Sequence, residues 1–191
     1  MSPPFHAFWL YGIMCPWASS QMTTRRVEIN IDGGFRHPYL RVWLRKIAIT
    51  ALDLTLPDQA CQMSLVVCDD ATIRRLNREY RGLDEITDVL AFSSEHPGPW
   101  QGKDMPLKEA ITDISSFILP PEEPPYLGEV LVSYPQVGRQ STESGNEAKR
   151  EWALLVAHGI LHLLGYDHQE PQETNTMEGK QNEILTRLFN E

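Results

Sequence analysis

The run His158-Gly159-Ile160-Leu161-His162-Leu163-Leu164-Gly165-Tyr166-Asp167-His168 decides how this chain is read. Its three histidines stand at i, i+4 and i+10, with a glycine between the second and the third. Residues four apart share one face of an α-helix, about 6 Å apart along the axis. His158 and His162 are therefore placed to grip one cation from the same side. Gly165 is the residue type that ends a helix in the left-handed conformation and turns the chain back, which delivers His168 to the same point. Three neutral nitrogens with a fourth position open form the pattern of a catalytic zinc site rather than a closed structural one. The bland alternative is three unrelated histidines on a buried helix, satisfied by backbone carbonyls. Half of the chain's six histidines fall within these eleven residues, around a helix-ending glycine, and that favours the metal.

The spacing also repeats the zinc-peptidase motif H-E-x-x-H-x-x-G-x-x-H, with one difference. Gly159 stands where those enzymes carry the glutamate that serves as general base. Metal binding survives that change, whereas the usual proton acceptor for peptide hydrolysis is lost.

Outward from the motif, Glu147 to Leu164 reads as one long helix, apolar nearly all round and so expected to be buried. Upstream, Val27–Ile31 alternates apolar and polar residues as a half-buried strand does, and Gly33-Gly34 ends it. Pro38 marks a helix start, and Leu40, Trp43, Leu44, Ile47, Ala48 and Leu52 recur at helical spacing. Gln62–Cys68 reads as a second strand. Asp69 or Asp70 caps a helix over Ala71–Tyr80, Val89–Phe92 is a short third strand and Leu127–Ser133 a fourth. Pro171 opens a last helix running through Leu188. This order predicts an α+β fold. A small mixed four-stranded sheet is packed with about five helices around a buried central metal-ligand helix, in a metalloprotease-like core.

Length and composition suit one soluble domain, set at residues 25–191. Between Ser94 and Pro125 fall seven of the fourteen prolines and one short apolar patch, Ile114–Leu119, so 94–125 is expected to be an insertion rather than a second domain. Residues 1–24 are set apart as an N-terminal extension. Phe5–Trp17 is aromatic-rich but too short to span a bilayer, and no Lys or Arg precedes Arg25, as a secretory signal requires. Translation is expected to begin at Met22, and an intact mass that includes residues 1–21 would refute this. Cys15, Cys61 and Cys68 form an odd set without C-x-x-C spacing, which argues against a disulfide framework and for a reducing compartment.

The formal charge of −9 argues against a nucleic-acid partner, but its distribution weakens that objection. Residues 1–83 carry ten basic against seven acidic residues, and residues 84–191 seven against nineteen. Arg36, Arg41, Arg45 and Lys46 cluster around one helix, and Arg74, Arg75, Arg78 and Arg81 around the next. Two arginine-bearing helices lining one groove for phosphates is one expectation; ordinary solvated helix faces are the other.

Three ordered motifs resemble the YbeY family of bacterial endoribonucleases. Residues 158–168 are similar to its H-G-x-L-H-L-x-G-Y-D-H. Leu76-Asn77, Tyr80-Arg81-Gly82, Asp84 and Thr87–Phe92 resemble its L-N-x-x-Y-R-x-x-D-x-x-T-D-V-L-S-F, and Leu127–Ser133 its L-G-D-I-x-I-S strand. Met177 and Glu183 fit its closing helix, while Ala91 and Glu129 replace the usual serine and aspartate. The likeness covers roughly residues 25–190. It implies a metal-dependent endoribonuclease specific for single strands, acting in ribosomal RNA processing, chiefly 16S 3′-end maturation, and in ribosome quality control. It further implies that His158, His162 and His168 hold one zinc or other divalent ion and that Arg81 is a catalytic residue beside it. Implied partners are single-stranded RNA and pre-rRNA, the small ribosomal subunit with its proteins, and an Era-type GTPase. The implied compartment is the cytoplasm, with neither membrane nor DNA involved.

Arg81 would brace a phosphate, since guanidinium matches two phosphate oxygens at once; its structural alternative is an ion pair with Asp84 or Asp88. Asp167 is a candidate to orient a histidine or to act as a base. Thr87-Asp88 reads equally as a turn cap, and Ser133 as a residue satisfying local backbone. Two rival functions remain: a zinc peptidase, which Gly159 counts against, and a non-catalytic assembly factor whose structural metal is closed by a Cys or Asp from elsewhere.

Overall fold

The computed structural model describes residues 24–35, 37–95, 123–168 and 170–190. Residues 1–23 of the expected extension (with the start site Met22), Arg36 and the apolar patch at 114–119 lie outside them. The elements are β1 (Arg25–Ile31), α1 (Leu40–Thr55), β2 (Cys61–Cys68), α2 (Asp70–Arg81), β3 (Val89–Ser93), β4 (Tyr126–Ser133), α3 (Tyr134–Ser144), α4 (Ala148–Leu163) and α5 (Pro171–Phe189). The strands form one mixed sheet in the order β1-β2-β4-β3, with β3 antiparallel to β4 and the other pairs parallel. This is the expected α+β architecture with five α-helices among the described residues. No helix there is long and apolar enough to cross a membrane.

Strand alternation sorts the side chains into two unequal cores. Val27 and Ile29, Met63, Leu65 and Val67, and Val130 and Val132 point to one face, where α1 and α4 cover them and α5 packs on those two helices. Val66, Cys68, Leu90, Phe92 and Leu131 point to the other, where α2 lays Ile73 and Leu76 on them. The second face is covered only in part, because Glu28 and Asn30 of β1 are exposed on it. This arrangement overturns the single groove lined by two arginine helices. α1 and α2 lie on opposite faces of the sheet, since the βα crossover after β1 goes to one side and that after β2 to the other. Arg41 bonds the Ile29 carbonyl, Arg75 pairs with Glu79, and Arg74 and Arg78 pair with Asp84.

α4 is the central helix, with ten buried residues from Glu151 to Leu163, packed between the sheet, α1, α3 and α5. Its approach to the sheet depends on Gly159. A Cβ built there falls 2.6 Å from Val130 Cγ1 and 3.1 Å from Val89 Cγ2. The other glycine set by a close approach is Gly128, at φ 129°, where a Cβ would lie 2.1 Å from the Phe92 carbonyl oxygen. It sits where β4 carries one residue more than β2, between the pairs Gln62–Tyr126 and Ser64–Glu129.

The helix over 134–144 was not expected. Only Val137 of it is buried, so it carries no apolar period. Its ends are nevertheless marked. Ser133 accepts the Gln136 N–H, Pro135 sits in the first turn, and Gly145 closes the helix at φ 67°.

Candidate metal centre

α4 places His158 and His162 one turn apart, and their Nε2 atoms lie 3.1 Å from each other. The helix ends on the hydrogen bonds of a Schellman turn, Gly165 N–H to the His162 carbonyl and Tyr166 N–H to that of Leu161, with Gly165 at φ 81°. That turn returns His168 to the helix pair. Its ring centroid lies 5.7 Å from that of His158 and 5.2 Å from that of His162. One ligand nitrogen from each of the three can be chosen so that all lie within 4.8 Å of one another, and no Cys, Asp or Glu among the described residues joins them. A structural site closed by a fourth such ligand is therefore absent among those residues.

The hydrogen bonds fix which nitrogens face inward. His162 Nδ1 lies 3.0 Å from the Tyr166 carbonyl oxygen, which can only accept, so Nδ1 carries the proton and Nε2 is bare. His158 Nδ1 lies 3.2 Å from Gln181 Oε1, an amide oxygen that accepts from Nδ1 when the ring carries its proton there. Burial lowers the pKa of both, that of His162 to about 4 with His158 and His168 adding to the effect, while for His158 the bond to Gln181 works against it. With His158 protonated on Nδ1 as well, two bare nitrogens face each other, an arrangement that a shared cation relieves. Two ligands on a tetrahedral zinc ion stand about 3.3 Å apart, close to the spacing found. The donor set fits a divalent cation, with at least one position left for water or substrate.

The remaining sequence candidates fall into place around this centre. Asp167 Oδ1 accepts the His168 backbone N–H at 2.8 Å. The acceptors at the outer nitrogens of His158 and His162 are Gln181 and the Tyr166 carbonyl. Gln181 had a readable signal: it lies in the apolar stripe Met177, Ile184, Leu185, Leu188 of α5. Asp88 is a brace, accepting from Val89 N and from Gln140 Nε2 at 2.9 Å, while its carbonyl accepts from Ser133 N. Ser133 does more than satisfy local backbone, because it caps α3 and donates to Asp70 at 2.7 Å.

Arg81 is the last residue of α2, exposed, ahead of Gly82 at φ 73°. Its neighbours in the motif hold the following loop: buried Asn77 donates to the Glu85 carbonyl at 3.0 Å, and Tyr80 packs edge-on against Phe92. Neither suggested ion pair forms among the described residues, since Asp84 is taken by Arg74 and Arg78, and Asp88 by Gln140. The three histidines are thus brought together, whereas no described hydrogen bond or ion pair joins Arg81 to them.

A four-stranded α+β core whose central helix and the turn after it bring three histidines together defines the class. The chain matches the family described as Endoribonuclease YbeY over residues 29–189. It is 35% identical over 188 residues to the Endoribonuclease YbeY of Dehalococcoides mccartyi, covering 97% of this chain and 96% of that one. It is likewise 35% identical to the protein of that name from Chloroflexus aurantiacus, covering 85% and 94%. A Thermotoga maritima protein solved in solution shares the fold at a TM-score of 0.51 and 22% identity, over 87% of this chain and 90% of that one. The chain belongs to the Endoribonuclease YbeY family.

Proposed function

We propose that residues 25–191 act as one metal-dependent endoribonuclease domain that cuts single-stranded RNA during ribosomal RNA maturation, chiefly at the 16S 3′ end, and serves ribosome quality control. Pre-rRNA is the substrate. The small ribosomal subunit with its proteins and an Era-type GTPase are the partners, and the cytoplasm is the compartment. The observation that carries this reading is the convergence of three histidines, two of them with their outer nitrogens hydrogen-bonded away, in a chain of this family. His158, His162 and His168 would hold one zinc or similar divalent ion. Such an ion supplies Lewis acidity, lowering the pKa of coordinated water toward about 7 and polarising a phosphoryl oxygen.

The chain's own residues do the rest. His158 and His162 stay neutral at physiological pH because burial disfavours their charged forms. Arg81 would brace a phosphate with two hydrogen bonds, and what supports this is that Asp84 and Asp88 have other partners and leave its guanidinium to the substrate. RNA brings its own 2′-hydroxyl as a nucleophile, so a strong protein base is not required. Peptide hydrolysis is disfavoured twice over. Gly159 supplies no carboxylate, and the space beside its Cα is held by Val130 and Val89.

The test incubates zinc-loaded protein, His158→Ala and Arg81→Ala with a single-stranded RNA and with casein. RNA cleavage is expected at full rate from the parent, with Arg81→Ala slower by on the order of 10²–10³ and His158→Ala inactive and deficient in zinc. Casein cleavage would instead identify a peptidase. Inactivity on both substrates would favour an assembly factor. RNA cleavage equal in all three proteins would expose a contaminant.

A further inference from the structure

We infer that Gln181 is a positioning residue of the metal centre, holding His158 with its proton on Nδ1 and the lone pair of Nε2 turned toward the ion. The inference rests on the metal-site reading and goes beyond it by assigning a side chain outside the histidine motif. Gln181 sits four residues after Met177 and three before Ile184, on the stripe by which α5 packs into the main core. A half-buried amide on an apolar stripe is costly unless bonded. Its Oε1 meets His158 Nδ1 at 3.2 Å.

The two helical ligands are anchored differently. His162 is fixed by the Tyr166 carbonyl, which the Schellman turn supplies from backbone and no substitution at that position removes. His158 depends on a side chain from another helix, 23 residues on in sequence. Without an acceptor at Nδ1, the ring is free to put its proton on Nε2, and that tautomer cannot bind metal through the inward nitrogen. The same contact therefore couples the docking of α5 to the ligand state of α4. A carboxylate at 181 would accept in the same way and add basicity to the ring, whereas an apolar side chain of similar length would fill the space without accepting.

The experiment measures zinc affinity by competition with a chromophoric chelator for the full-length parent, Gln181→Leu, Gln181→Met and Gln181→Glu, with metal-free melting temperatures recorded for each. Gln181→Leu and Gln181→Met are expected to bind zinc roughly 10–100-fold more weakly. Gln181→Glu should match or exceed the parent, a rescue that filling space alone cannot give. The inference is overturned if either folded apolar variant binds like the parent, or if Gln181→Glu loses as much affinity as they do. Two apolar variants are used so that one surviving purification suffices, and the melting temperatures identify a variant that has merely failed to fold. A folded parent that binds no zinc would sink the metal site itself, an outcome distinct from a parent that binds and variants that bind equally.

Discussion

On one face of the sheet, all four strands send side chains into a core shared by α1, α4 and α5. On the other, the buried cluster is Cys68, Ile73, Leu90 and Leu131 under α2, and beyond it Glu28 and Asn30 meet solvent. The thick face roots two of the three candidate ligands, His158 and His162, in its central helix. The thin face presents Arg81 at the end of a helix held by a small apolar cluster and by polar ties: Asn77 to the Glu85 carbonyl, and Asp70 to Ser133 and Arg139. The division suits the roles proposed. A ligand set must keep its spacing, so it belongs where packing is dense, whereas a side chain that meets a long, variable substrate belongs at an exposed helix end.

Truncating one isoleucine on each face tests this most directly. Ile160 and Ile73 are both fully buried, yet their surroundings differ in how far they can collapse. Ile160→Ala, enclosed by sheet and helices, is expected near the upper end of the roughly 2–5 kcal/mol range for such changes, and Ile73→Ala near the lower end. Urea unfolding measures both. Equal losses would mean that the thin face packs as tightly as the thick one. The larger loss at Ile160 should also carry weakened zinc binding, which Ile73→Ala should leave intact.

A smaller effect separates glycines on two helices of the thick face. Gly159→Ala gains about 1 kcal/mol of helix propensity but drives a methyl to within 2.6 Å of Val130 Cγ1. Overpacking costs about 1–3 kcal/mol, and Val130 is fully buried with a stiff side chain, so a net loss of about 1–2 kcal/mol is expected. Gly179→Ala, on α5 with nothing within 4 Å, should instead stabilise by up to about 1 kcal/mol. Opposite signs in thermal melts support contact control at Gly159. A stabilising Gly159→Ala would show that the helix can back away from the sheet.

Sequence patterns revealed the thick face better than the thin one, and the reason is periodicity. The repeating apolar positions of α1, the alternation in β1 and the near-continuous apolar run of α4 each report burial in one large core. The Asp69 cap was readable because Thr72 N–H has a local partner, and the triad because its ligands lie within eleven residues. What stayed hidden depends on contacts distant in sequence. Nothing in the periodicity of α1 or α2 says which side of the sheet each crossover takes, so the sequence is equally compatible with one groove for their arginines and with the opposite faces that the topology gives them. α3 buries only Val137 and is signalled by its caps alone. Gly159 looked like a missing base and is a packing contact with β3 and β4. Gln181 is one polar residue in an apolar stripe, whose partner lies 23 residues away.

The smallest effect expected lies in the polar tie of the thin face, and pH isolates it. Asp70 Oδ1 accepts from Arg139 Nη2 at 2.8 Å and from Ser133 Oγ at 2.7 Å. The bond from Arg139 is the larger cause, with Ser133 assisting, of a carboxyl held below its ordinary range. A carboxyl whose folded pKa is depressed binds fewer protons than in the unfolded chain. Its contribution is therefore complete above the unfolded value, about 3.9, and is lost as pH falls through the lower folded value. Asp70→Asn removes the charge and keeps the shape. Because Arg139 is largely exposed, the loss at neutral pH should stay below about 1 kcal/mol, and denaturant midpoints of parent and variant should converge as the solution is acidified below about pH 4. A gap that persists in acid would mean that the amide introduced by Asp70→Asn disturbs the Ser133 cap of α3 sterically. A loss as large as that of Ile73→Ala would mean that charge, not the small apolar cluster, holds the face from which Arg81 projects.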